Sequence, residues 1–161
     1  MSCRFVAFLV LSFVMLDSAA AQTRSGERFQ LALGLINRGM HDDAARQLAR
    51  FVKDQPEHAQ VSEANYRLGV CQLELKQPAV AIASFQQALR GRAFKLKAEC
   101  RYRLGHTLKQ LEKHAEAAEQ FRQLVDEAGD GHYLAAPSLF AGGESLRQTK
   151  NDKGALAVYR K

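Results

Sequence analysis

The sequence predicts an all-α chain built as about four helical hairpins stacked side by side. Three observations predict it. The tetrapeptide YRLG occurs at Tyr66-Arg67-Leu68-Gly69 and returns at Tyr102-Arg103-Leu104-Gly105, 36 residues later. In that register the flanks also agree, with Leu75 on Leu111, Ala81 on Ala117, Phe85 on Phe121 and Leu89 on Val125. Each copy holds two segments of apolar residues at helical spacing separated by a short polar break, the pattern of a helical hairpin. With 47% apolar and 25% charged residues among 161, the chain can bury a core and is too rich in apolar residues to stay disordered.

Residues 1–21 are expected to be a secretory signal peptide. Arg4 precedes a 12-residue apolar run, FVAFLVLSFVML, and Ala19 and Ala21 supply the small residues of a cleavage site after Ala21. The run falls short of the roughly 20 residues that span a bilayer. No cysteine stands just after it, so lipid attachment is not indicated. Export is therefore expected. Cleavage would remove Arg4 and Asp17, one charge of each sign, and leave the net charge of +6 unchanged. A basic exported protein meets anionic surfaces more readily than nucleic acid, so weak contact with such surfaces is expected and no nucleic-acid partner is.

Residues 22–27 read as a short linker, and four repeats follow at about 28–58, 62–94, 98–131 and 136–161. In the first, Phe29, Leu31-Ala32, Ala44 and Leu48 mark the pattern. In the second, Tyr66, Leu68, Gly69, Leu73 and Leu75 define one helix and Val80, Ile82, Phe85, Ala88 and Leu89 the next, with Pro78 suited to a first turn that needs no N–H. The third breaks at Glu112-Lys113-His114, and Glu116 falls where a carboxylate offsets the positive helix end. The fourth contributes Phe140, Gly142-Gly143, Ala155 and Tyr159. Four columns result: Phe29, Tyr66, Tyr102, Phe140; Ala32, Gly69, Gly105, Gly143; Ala44, Ala81, Ala117, Ala155; Leu48, Phe85, Phe121, Tyr159. Small residues let two backbones approach, and the aromatic is expected to fill the gap between hairpins. The last repeat ends within its second helix and without a polar cap, so a longer protein is expected.

Cys71 and Cys100 sit seven repeat positions apart, about 10 Å along neighbouring helices. A disulfide needs Cα atoms within about 7 Å, so both are read as buried apolar residues. Catalytic constellations, phosphate loops and histidine pairs at metal-binding spacing are absent from the sequence. His41-Asp42-Asp43 is read as a helix start and Gly142-Gly143 as part of the small-residue column. Neither enzymatic activity nor a cofactor or metal is expected. One charged feature stands out: Arg90, Arg92, Lys95, Lys97, Arg101 and Arg103, accompanied only by Glu99, read as a basic edge at the junction of repeats two and three.

Period, hairpin and columns together resemble the tetratricopeptide repeat (TPR) family over Arg28 to Lys161. The long period and the signal sequence are most similar to its bacterial envelope members, such as the periplasmic proteins accompanying the Tol-Pal system. The resemblance implies a right-handed α-solenoid whose first helices line a concave groove, a periplasmic location, and protein or peptide partners in the cell envelope. Carried over position by position, it implies groove residues Tyr66, Val70, Leu73 and Glu74; Tyr102, His106, Lys109 and Gln110; Phe140, Glu144, Arg147 and Gln148. The alternative for the aromatic column of Phe29, Tyr66, Tyr102 and Phe140 is core, each ring packing one first helix on the next. The clamp that chaperone-binding members close on a terminal carboxylate is not matched, because Tyr66, Val70, Tyr102 and His106 stand at its positions. An exported scaffold is the expected function. The alternative is the N-terminal recognition segment of a larger envelope enzyme.

Overall fold

A computed structural model describes residues 26–91 and 94–159. The expected signal peptide lies outside the described residues, as does most of the expected linker; Gly26 and Glu27, its last two residues, are already helical. Among the described residues there are eight helices and no strand. Helix α1 is described over 26–37. It is followed by α2 (His41–Asp54), α3 (Val61–Glu74), α4 (Pro78–Leu89), α5 (Lys97–Gln110), α6 (His114–Ala128), α7 (Ala135–Gln148) and α8 (Asp152–Tyr159). From α2 onward each helix packs on the next, and α5 also touches α7. The result is an all-α solenoid of four hairpins.

Every hairpin turns in the same way. Gly39, Lys76, Glu112 and Lys150 all adopt positive φ, between 57° and 73°. Around each, the next residue's N–H reaches back five residues to a carbonyl: Met40 to Leu35, Gln77 to Gln72, Lys113 to Leu108, Asn151 to Leu146, at 2.8–3.0 Å. The turn residues themselves donate to Ile36, Leu73, Lys109 and Arg147 at 2.9–3.0 Å. This paired arrangement satisfies carbonyls that the helix end would leave open. It also folds α2, α4, α6 and α8 back on their partners.

Where the two helices of a hairpin cross, volume is shared between columns. A Cβ on Gly69 would stand 2.6 Å from the Phe85 ring, and one on Gly105 would stand 2.7 Å from the Phe121 ring. Gly143 holds Tyr159 in the same embrace. Each aromatic therefore closes first on the glycine of its own hairpin, where the sequence suggested a gap between hairpins. Phe85 and Phe121 are essentially inaccessible, and burying each contributes about 1.5–3 kcal/mol. The core is handed along the chain. Phe29, Leu48, Phe51 and Leu68 form its first part; Tyr66, Phe85, Leu104, Leu108 and Phe121 the middle; Leu124, Val125 and Ala135 the last.

Both cysteines are free and buried. Burial pushes the Cys71 thiol up to about 11 and the Cys100 thiol up to about 12. Thiols held so far from ionisation are poor nucleophiles.

A groove between the first helices

Helices α3 and α5 run past one another with a hollow of 550 Å³ between them, closed on one side by the segment entering α7. Tyr66 and Leu73 come from α3; Glu99, Tyr102, Arg103, His106, Thr107 and Gln110 come from α5; Tyr133 and Leu134 complete the wall. Helical phase explains the α5 set, since positions 99, 102, 103, 106 and 110 recur at three and four residues and share one face. Tyr66 is wedged against the Phe85 and Phe94 rings and is 6% exposed. Its hydroxyl accepts a hydrogen bond from Arg103 Nε at 3.1 Å. Across the groove the Tyr133 hydroxyl donates to Glu99 Oε1 at 2.9 Å, which raises the Tyr133 phenol above its ordinary value. His106 stands edge-on to Tyr102 at 4.5 Å and to Phe121 at 5.2 Å. Burial, helped by the charge of Lys109, holds its imidazole below the usual histidine range. Near neutral pH the ring is therefore an uncharged, half-apolar surface that can still donate or accept one hydrogen bond.

Of the twelve residues expected in the groove, Tyr66, Leu73, Tyr102, His106 and Gln110 line it. Val70 packs against the middle of the core, Glu74 is exposed beyond the rim, and Lys109 is half-buried outside the lining. The four from the last hairpin do not reach it. Phe140 is 66% exposed and faces the Tyr159 ring at 6.3 Å; Glu144 takes Arg147 at 3.2 Å and the Tyr159 hydroxyl at 3.1 Å; Gln148 is exposed. Tyr133 and Leu134, from the connection before α7, line the wall although neither is expected there from the sequence.

The basic residues do not form one edge. Positions 101 and 103 lie about 200° apart around a helix, and their side chains part accordingly. Arg101, only 11% exposed along its side chain, crosses to α6 and meets Glu127 at 2.7 Å and Gln120 at 3.0 Å. Lys97 joins the same carboxylate at 3.1 Å. The hydrogen bond from Arg101 holds Glu127 below the ordinary carboxylate range. Arg103 faces the groove, Arg90 and Lys95 are exposed, and Arg92 lies outside the described residues. The five described cations thus become a structural clasp, a groove residue and two solvated charges.

Elsewhere the carboxylates of Asp42 and Asp43 both engage Arg46. No group of three His, Cys, Asp or Glu side chains among the described residues gathers as a metal site. No helix among them is long and apolar enough to cross a membrane. A smaller hollow of 270 Å³ between α6, α7 and α8 is mostly apolar, with the Arg122 ion pairs at its rim.

Stacked hairpins with a lined groove across their first helices define a helical repeat scaffold. A tetratricopeptide repeat model matches residues 29–95 and 102–161, and the chain belongs to that family. In fold it is similar to a crystal structure of MamA, at 18% identity, with 84% of this chain and 74% of that one covered and a TM-score of 0.66. It is likewise similar to YrrB, described as a TPR protein with an unusual peptide-binding site, at 23% identity, 90% and 68% coverage and a TM-score of 0.67. At such identities the likeness speaks to fold alone. No curated protein matches the chain.

Proposed function

We propose that this protein is an exported scaffold that holds an extended segment of a partner protein in the groove between α3 and α5, within the cell envelope. The observation that carries the reading is the groove's composition. Tyr102, Tyr133 and two leucines offer apolar area at low entropic cost over the buried Tyr66, and Arg103, His106 and Gln110 offer directed polar contacts among them. A pocket of this size with a few polar groups in an apolar wall suits part of a linear chain better than a flat protein face. Export is supported by the pattern of residues 1–21, and the setting by the kind of TPR protein the sequence resembles.

A photo-crosslinking amino acid placed at His106 or Gln110 tests the groove. Crosslinks to envelope proteins are expected from those positions and not from Gln86, an exposed site on α4; equal yields at all three would refute the assignment. N-terminal sequencing of the envelope-recovered protein tests export, with Gln22 expected as the first residue and Met1 as the contrary result.

A further inference from the structure

Two glutamate–arginine pairs, one repeat apart, behave differently. Glu63 and Arg67 stand four residues apart on α3, and Glu99 and Arg103 stand four apart on α5. Pairs with this spacing and order close readily on a helix. The first pair does: Arg67 Nη2 lies 3.1 Å from Glu63 Oε1. The second does not. Arg103 gives its Nε to the Tyr66 hydroxyl, and Glu99 takes the Tyr133 hydroxyl instead. Among the described residues Arg103 joins no ion pair. Tyr66 is itself locked in the core, so it holds the guanidinium by one edge and leaves the two Nη groups to the groove.

We infer that the groove selects a linear protein segment bearing an Asp or Glu side chain, whose carboxylate Arg103 receives through its Nη groups. The inference rests on the groove reading above and names the partner's chemistry. A planar guanidinium with two parallel N–H donors matches a carboxylate in shape and charge. A cationic segment would meet Arg103 and nearby Lys109, while the one carboxylate of the lining, Glu99, is already engaged by Tyr133. An uncharged segment would cover Arg103 and leave it desolvated with no anion. An acidic side chain meets both conditions, and its apolar neighbours then lie against Tyr102 and Tyr133. The chain's net charge of +6 speeds the approach of such a partner.

Selection of linear octapeptides from a random displayed library on the purified full chain tests the idea. Wild type is expected to enrich Asp or Glu at one register beside an aromatic or aliphatic residue. A synthetic, terminally blocked copy of the leading peptide is expected to bind about tenfold more weakly when that acid becomes its amide. In R103Q the same replacement is expected to change affinity less than about twofold. Tyr66→Phe, which removes the anchoring hydroxyl while keeping the buried ring, is expected to weaken the acid preference. Enriched peptides lacking an acid, or an acid preference undiminished in R103Q, would overturn this inference and leave the groove standing. Failure of wild type to enrich any peptide would overturn the groove reading, and this inference with it.

Discussion

The first and third hairpins make the same crossing and the same turn, yet they put glycine in opposite places. In the third, Gly105 lies under the Phe121 ring and Glu112 takes the left-handed turn at φ 58°. In the first, Gly39 takes the turn at φ 73°, and the crossing is made by Ala32 with Leu48, both fully buried. The second hairpin follows the third, with Gly69 under Phe85 and Lys76 at the turn. Two demands are thus separable. The crossing fixes a summed volume, met by the smallest residue with a large ring or by two of middling size. The turn fixes a backbone angle, which a side chain can meet at a cost.

The largest expected effect tests a related division, in the aromatic column of the first helices. Tyr66 is wedged in the core while Phe140, its counterpart in the last hairpin, is 66% exposed. Tyr66→Ala is expected to destabilise the protein by about 3–5 kcal/mol and Phe140→Ala by less than about 0.5 kcal/mol, read from urea midpoints. Equal losses would show that the hairpins do not differ in what covers this column.

Next comes the shared volume itself. Gly105→Ala drives a Cβ into a ring that cannot swing away and is expected to cost about 1–3 kcal/mol. Adding Phe121→Leu rebuilds the combination that the first hairpin already uses. The double variant is expected to be more stable than the two single losses predict, by about 1–2 kcal/mol. A strictly additive pair would break the explanation of why Ala32 and Leu48 occur together.

A third contrast concerns ion pairs at equivalent positions. Arg28 meets Asp54 at 2.6 Å in the first hairpin as Arg101 meets Glu127 in the third, and the second has Asn65 and Gly91 there. Both partners in the first are nearly half exposed, whereas Arg101 is covered and makes further bonds to glutamines. Arg101→Gln is expected to cost about 1–2 kcal/mol and Arg28→Gln less than about 0.5 kcal/mol. Acid adds a check of sign. Glu127 is held below its ordinary range, so its contribution is full above the unfolded carboxylate value of about 4.3 and is lost as pH falls below it. Wild type is expected to lose stability between pH 5 and the acid limit, roughly, more steeply than Arg101→Gln.

What the sequence made legible follows from the same physics. Columns such as Gly69 with Phe85 repeat because the chain faces one steric problem four times, and repetition separates signal from chance. Residues used once leave no such trace. Tyr133 and Leu134 belong to the connection before α7, which has no period, and their part in the groove could not be read from a template. Arg101 and Arg103 were legible as cations but not as parting company, because a charge count along the chain ignores helical phase. One usable signal was there: Glu99 and Arg103 copy Glu63 and Arg67 at the same offset, while Tyr66 and Tyr102 flank them. Only the geometry reveals that the second pair is pulled apart.

The smallest expected effect has opposite signs at equivalent turns, which makes it the sharpest check on the separation of angle from volume. A side chain in the left-handed region costs about 1–2 kcal/mol, and glycine's extra freedom in the unfolded chain takes back about 0.5–1 kcal/mol of any relief. Glu112→Gly is therefore expected to stabilise the third hairpin by about 0.5–1 kcal/mol, and Lys76→Gly the second by a similar amount. Gly39→Ala in the first is expected to destabilise by about as much, although nothing lies within 4 Å of the added Cβ. Space is free there, so only the backbone angle can account for a loss. Urea midpoints that shift in the same direction for Glu112→Gly and Gly39→Ala would show that the turns are not equivalent, and that the common geometry of the four hairpins is not set by the left-handed residue.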